Sequence, residues 1–107
     1  MNNLIPFKPL AAQAAAGTSS GSGSNVSSAM FVRVDNTAAS TAYLVSLETS
    51  GASLVGSFTL QGGESIIMAK EKSDEIFAAN AAVKLTPVML VGGARLGELK
   101  EKKTYLS

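Results

Sequence analysis

Between Met30 and Val91 apolar side chains recur at every second position in short runs, and each run stops at a polar or glycine turn. Met30-Phe31-Val32-Arg33-Val34-Asp35 sets Met30, Val32 and Val34 on one face and Arg33 and Asp35 on the other. Tyr43-Leu44-Val45-Ser46-Leu47-Glu48 aligns Tyr43, Val45 and Leu47. Leu54 to Leu60 gathers Leu54, Phe58 and Leu60, with Gly56 on that apolar face as the mark of a bulge or a close backbone approach. Ser65 to Lys70 follows the Gln61-Gly62-Gly63-Glu64 turn. A helix would need apolar spacings of three and four, whereas alternation is the signature of a half-buried strand. The runs begin about every 11–13 residues, the rhythm of an antiparallel sandwich or barrel. The expected fold class is therefore all-β: a small antiparallel β-sandwich or barrel with an extended N-terminal arm and a C-terminal tail.

Two segments break the rhythm. In Glu71-Lys72-Ser73-Asp74-Glu75-Ile76-Phe77-Ala78, Ser73 or Asp74 can cap a single helical turn that plugs Ile76 and Phe77 into the core. Val83 to Val91 resumes as strand. Pro87 lacks a backbone donor, which predicts an edge strand or one with a break. Gly92-Gly93 ends it, and Glu98 to Lys103 reads as solvated.

Charge divides the chain differently. Residues 1–28 carry one charged side chain, Lys8. Leu4-Ile5-Pro6-Phe7-Lys8-Pro9-Leu10 is apolar but held extended by two prolines, which fix φ and remove donors. Its Pro6–Pro9 spacing also fits a PxxP ligand, although two prolines stiffen any arm. The segment lacks the basic start and unbroken apolar run of a secretory signal. Ala11 to Ala16 is interrupted only by Gln13, and Gly17 to Ser28 has the composition of a flexible linker. The expected organisation is an arm and linker over 1–28, a β-domain over 29–91 and a tail over 92–107. An extended apolar arm cannot bury itself. Leu4, Ile5, Pro6, Phe7, Pro9 and Leu10 are thus expected to bind a neighbouring molecule, the alternative being an unstructured tail. Leu99, Tyr105 and Leu106 form a second, weaker contact set.

The chain has no Cys, His or Trp. Thiolate nucleophiles, disulfides, cysteine-based metal centres and Ser–His–Asp catalysis are excluded. With 9 basic and 8 acidic residues the net charge is +1, so no electrostatic footprint for nucleic acid exists. No apolar run approaches the roughly 20 residues of a membrane span. Gly92 and Gly97 have phosphate-loop spacing, but Glu98-Leu99 stands where Lys and Ser/Thr belong, and a carboxylate there repels phosphate. Glu64, Glu71, Asp74 and Glu75 lie close together without a sugar platform or a calcium-loop register, and read as a solvated loop beside Lys70 and Lys72. No cofactor and no metal are expected. Charged residues make up only 16% of the chain, against about 25% in a typical domain. That is a poor surface for a free monomer and points to a partner.

Three stretches carry a resemblance. They are Tyr43 to Glu48 running through Gly51 to Gly56-Ser57-Phe58-Thr59-Leu60, Gly62-Gly63-Glu64-Ser65 into Lys70 to Ala78, and Val83-Lys84-Leu85-Thr86-Pro87-Val88. In these patterns of strand and turn, covering about half of the chain, it resembles small β-sandwich virion proteins of tailed bacteriophages, marine and cyanobacterial in style. The resemblance implies a non-enzymatic decoration or cement protein on the capsid surface. Its partners would be the major capsid protein and copies of itself, as an oligomer on the particle, with no nucleic acid and no membrane. The alternatives are a tail, neck or fibre-attachment protein of the same virion, or a small carbohydrate- or receptor-binding β-sandwich. The last needs an aromatic-lined concave face, and six aromatics leave little for one once the core is filled.

Overall fold

The alternating runs form strands close to the expected limits. The computed structural model describes residues 6–90, and among them the fold is all-β. Its strands are β1 (Phe7–Pro9), β2 (Ala14–Ala15), β3 (Phe31–Asn36), β4 (Tyr43–Glu48), β5 (Leu54–Leu60), β6 (Ser65–Ala69), β7 (Glu75–Ala78) and β8 (Val83–Leu90). Two antiparallel sheets pack face to face. One runs β1-β8-β3-β6, with β2 also paired to β8, and the other runs β5-β4-β7. The expected tail over 92–107 lies outside the described residues.

Residues directly opposite each other in a ladder share a face. Val32 and Val34 of β3 lie opposite Met68 and Ile66 of β6 and Pro87 and Leu85 of β8, which builds the inner face of the larger sheet. Val45 and Leu47 of β4, opposite Phe58 and Gly56 of β5 and Ala78 and Ile76 of β7, build the inner face of the smaller one. The core between them is made mostly of valines and alanines, with Leu60, Ile76 and Leu85 as its larger members. The register of β4 and β5 shifts where Gly56 interrupts the apolar face. Beyond that bulge the parity of β5 is reversed, which is why Leu54 is exposed and does not join Phe58 and Leu60 in the core.

Asn36 pins the two sheets together. It is fully buried at the end of β3, donates from Nδ2 to Leu60 O (2.9 Å) and Thr41 O (2.8 Å), and accepts from Ala38 N (3.0 Å) at Oδ1. Its backbone exchanges hydrogen bonds with the β5–β6 turn, Asn36 N to Glu64 O and Gly63 N to Asn36 O. The two turns press together so closely that a Cβ on Gly62 would lie 2.7 Å from Ser40 Cα.

Three expectations are corrected. The boundary at residue 29 does not separate an arm from a domain. β1 and β2 run along β8 as the edge of the larger sheet, the chain crosses to the smaller sheet at Ala16-Gly17, and residues 17–24 pair with β7 through Gly17 and Ser24. Ala16 and Val26 belong to the core. The Gly/Ser composition serves close packing here. Glu48, 1% exposed, accepts from Ser20 Oγ (2.8 Å) and Gly21 N (3.0 Å), and a Cβ on Gly23 would lie 3.1 Å from its Oε2. Small residues bring hydroxyls and amides within reach of a buried carboxylate, which must be hydrogen-bonded to be tolerated.

Second, of the two readings of β8, an edge strand or one with a break, the edge is corrected and the break is found opposite Pro87. β8 is paired on both sides, with β3 on one and with β1 and β2 on the other. Pro87 O accepts from Leu10 N (2.8 Å), and a strand residue directs its N and O to the same edge. The missing donor of Pro87 therefore faces the arm. There the arm bulges, with Leu10 to Gln13 spanning the gap opposite Thr86 and Pro87.

Third, the segment after Lys70 is a turn and a strand, not a helical turn. Asp74 N donates to Glu71 O (3.1 Å), and β7 then alternates, with Ile76 and Ala78 buried and Glu75 and Phe77 on the other face. Period two wins because the core needs Ile76 and Ala78 on one side while Phe77 faces away from it.

Candidate functional site

The arm and the ends of β3 and β8 enclose an apolar groove of about 540 Å³ at one end of the larger sheet. Its walls come from the arm bulge (Leu10, Ala11), the segment Ser27 to Phe31, and Pro87 to Leu90, with Lys72 as the single cation in the lining among the described residues. Leu10 (54%), Met30 (51%), Phe31 (36%) and Met89 (53%) are large apolar side chains exposed around it. Val88, on the groove wall, is buried.

One wall is built from strained backbone. Val26, Ser27 and Ser28 have φ of 53°, 58° and 58°, a left-handed turn made without glycine. Ala29 N closes it on Val26 O (3.2 Å). Each such residue costs about 1–2 kcal/mol, and a β-branched one is a true outlier. Burial of the Val26 side chain and the side-chain caps that hold the turn, Ser24 Oγ on Val26 N (3.0 Å) and Asn25 Oδ1 on Ser28 N (3.3 Å), offset that cost. The turn directs the chain from its path along β7 back into β3, so that Met30 and Phe31 emerge at the groove.

Of the expected arm contacts, Phe7, Pro9 and Leu10 are brought together on β8. Phe7 lies opposite Leu90 and Pro9 opposite Val88. Phe7 is half-buried, with the Arg33 guanidinium 5.8 Å from its ring centroid. Arg33 also pairs with Asp35 at 3.6 Å. Pro6 and Pro9 are exposed, and Leu10 turns its side chain to the groove. Leu4, Ile5, Leu99, Tyr105 and Leu106 lie outside the described residues. Met30, Phe31 and Met89 were not among the expected contacts. Their signal is a local failure of alternation: Met30-Phe31 and Val88-Met89-Leu90 place apolar residues on both faces of strand ends.

Lys70 lies beside the groove's Lys72. It is buried, and Nζ donates to Glu71 O (3.0 Å) and Lys72 O (3.2 Å). Burial lowers its pKa below the ordinary lysine value, against the opposing pull of Asp74 and Glu75. Between the depressed folded value and the ordinary unfolded one, the unfolded chain holds more protons. Stability relative to a Lys70→Met variant is therefore expected to rise with pH through that alkaline window. Parallel urea titrations of the two proteins at several alkaline pH values measure it, and a difference independent of pH would contradict it. Among the described residues no group of three or more acidic side chains is placed to hold a metal ion, and no helix is long and apolar enough to cross a membrane. The acidic residues 71, 74 and 75 belong to the turn and the start of β7, where Asp74 Oδ2 accepts from Glu71 N (3.3 Å).

The arrangement suits an apolar, extended ligand segment: a groove open to solvent, apolar walls and one cation at the rim. Comparison with family models, curated proteins and solved structures finds no match to this chain.

Proposed function

We propose that the chain is a non-enzymatic virion structural protein, a decoration or cement protein that binds the major capsid protein on the capsid surface of a tailed phage. The observation that carries this reading is the cluster of Leu10, Met30, Phe31 and Met89 exposed around one groove, in a chain with only 16% charged residues. Contiguous apolar surface on a small domain marks a protein contact. Attachment through this surface differs from the tethered arm expected above: the arm supplies one wall, and an apolar segment of the shell protein fills the groove. The resemblance of the strand-and-turn patterns to phage sandwich proteins supports the same role. A carbohydrate-binding module is less well supported, because among the described residues Phe31 is the one aromatic lining the groove.

The first test is abundance in purified particles. A simple proportion to the major shell protein supports shell decoration, an abundance lower by an order of magnitude moves the chain to neck, tail or fibres, and absence discards the role. The second is a Leu10→Ser, Met89→Ser double variant. Each apolar side chain contributes roughly 1–2 kcal/mol when the contact completes its burial. Together the two removals cost about 2–4 kcal/mol, so binding to shells lacking the protein is expected to weaken by about 1.5 to 3 orders of magnitude, with thermal stability little changed. Unaltered shell affinity would remove the groove from the attachment site.

A further inference from the structure

The two sides of the sandwich are finished differently. On one side the chain crosses between sheets at Ala16-Gly17, and residues 17–24 cover β7. On the other side lie β5 and β6, the outer strands of their sheets, joined by the turn Gln61 to Glu64, and neither has a partner along its outer edge among the described residues. The β1 edge of the larger sheet on that side carries Lys8 and Pro9, preceded by Pro6, devices that stop a further strand from adding. Leu54–Leu60 and Ser65–Ala69 contain no charged residue and no proline. Such edges are templates for pairing.

Alternation shows which groups they offer. Ala79 N donates to Leu44 O, so Leu44 and Ser46 address β7 while Val45 and Leu47 address β5. Phe58 and Leu60 therefore point their backbone groups at β4, and Ser57 and Thr59 point theirs outward. In β6, Lys70 N to Met30 O and Asn36 N to Glu64 O direct the even-numbered residues to β3. Ser65, Ile67 and Ala69 face outward.

We propose that this open side pairs with a second copy of the chain, β5 to β5 and β6 to β6, about one two-fold axis passing Phe58 and Ile67. Both residues lie equally far along the chain from the Gly62-Gly63 turn, so a single axis serves both sheets. Centred there, Ser57 meets Thr59 of the copy in both directions, a favourable cross-strand hydroxyl pair. The half-buried Phe58 ring meets its counterpart, an aromatic pair. Gly56 falls opposite Leu60 and has open space where its Cβ would be. In β6, Ser65 meets Ala69 and Ile66 meets Met68, with Ile67 opposite its own copy. The two ladders would supply about ten hydrogen bonds, the number of a typical stable interface. An axis at Ser57 instead would set Thr59 against Val55, inside the bulge, and break the ladder.

This inference concerns the free protein and does not rest on the virion role. Sedimentation equilibrium of the full chain is expected to show a doubling of the 10.9 kDa mass. A Ser57→Lys, Thr59→Lys double variant puts like charges opposite each other and is expected to weaken association at least about tenfold, with an unchanged circular dichroism spectrum. The chain has no cysteine, so single cysteines report geometry without background. Ile67→Cys lies opposite itself, within the roughly 4.4–6.8 Å Cα separation a disulfide accepts, and is expected to crosslink on mild oxidation. Ser65→Cys lies opposite Ala69 and is expected not to. A monomer at all concentrations, equal crosslinking of the two cysteine variants, or a dimer indifferent to the lysines would overturn the proposal.

Discussion

Removal of residues 1–16 is expected to abolish the cooperative thermal transition of the whole chain. The deleted segment contains β1 and β2, the edge of the larger sheet, and Ala16 of the core. Its loss bares the N–H and C=O groups of Val83, Leu85 and Met89 and the carbonyl of Pro87 along β8, and uncovers Val88. Several ladder hydrogen bonds at about 0.5–1.5 kcal/mol each, with the burial of Phe7 and Ala16, sum to on the order of 4 kcal/mol or more after the ordering cost. Small domains lie toward the lower end of the roughly 5–15 kcal/mol range, where such a loss removes most of the stability. Differential scanning calorimetry measures it directly. A synthetic peptide of residues 6–16 is expected to restore the cooperative transition to the truncated chain by strand addition. A truncated chain that still melts cooperatively at the native temperature would show that the arm is dispensable to the fold. Reduced particle binding by a 1–16 deletion therefore cannot be assigned to a lost anchor, and the groove side chains are the better probes of attachment.

Asn36→Ala is expected to cost about 3 kcal/mol, a fall of roughly 10–20 °C in Tm. Two carbonyls, of Leu60 and Thr41, lose their donor in a fully buried setting, and Ala38 N loses its acceptor. Asn36→Asp separates the donors from the acceptor. The carboxylate can still accept from Ala38 N but turns negative charge on two carbonyl oxygens, so at neutral pH it is expected to be worse than alanine. Its carboxyl would have a folded pKa raised above the unfolded one. Stability is then recovered as pH falls through the folded value, where the protonated acid can donate once. Thermal melts of both variants from neutral to mildly acidic pH check the crossover. An Asp variant that only loses stability on acidification would contradict this account of the site.

The all-β class was legible because alternation over Phe31–Asn36 and Tyr43–Glu48 reports half-burial directly. The larger misreadings concern segments whose partner is remote in sequence. Gly17 to Ser28 has the composition of a linker, and nothing local reveals that Glu48, about 27 residues away, waits beneath it for hydroxyl and amide donors. Pro87 left an edge and a break both open, because a proline's missing donor is a local fact, whereas which neighbour that donor would face is a tertiary one. Ile76-Phe77 suits a helical plug as well as a strand until the position of the core is known. The groove was half legible. Leu10 was singled out as a contact, but Met30, Phe31 and Met89 look like core residues until the sheet places them at its end.

The proline in β8 also solves a problem of indexing. From Ala11 to Ala16 the arm is nearly uniform, and a uniform strand laid along an edge can slip by two residues with little change in side-chain fit. A slipped arm would pull Ala16 out of the core and move the crossing to the smaller sheet. At Pro87 the edge offers no donor, and the arm accommodates that gap only by bulging at Leu10 to Gln13. Displaced by two residues, the bulge would face a donor it cannot satisfy and a paired residue would face the proline. The proline thus works as a notch on a ruler, giving a low-information sequence one position at which it can dock.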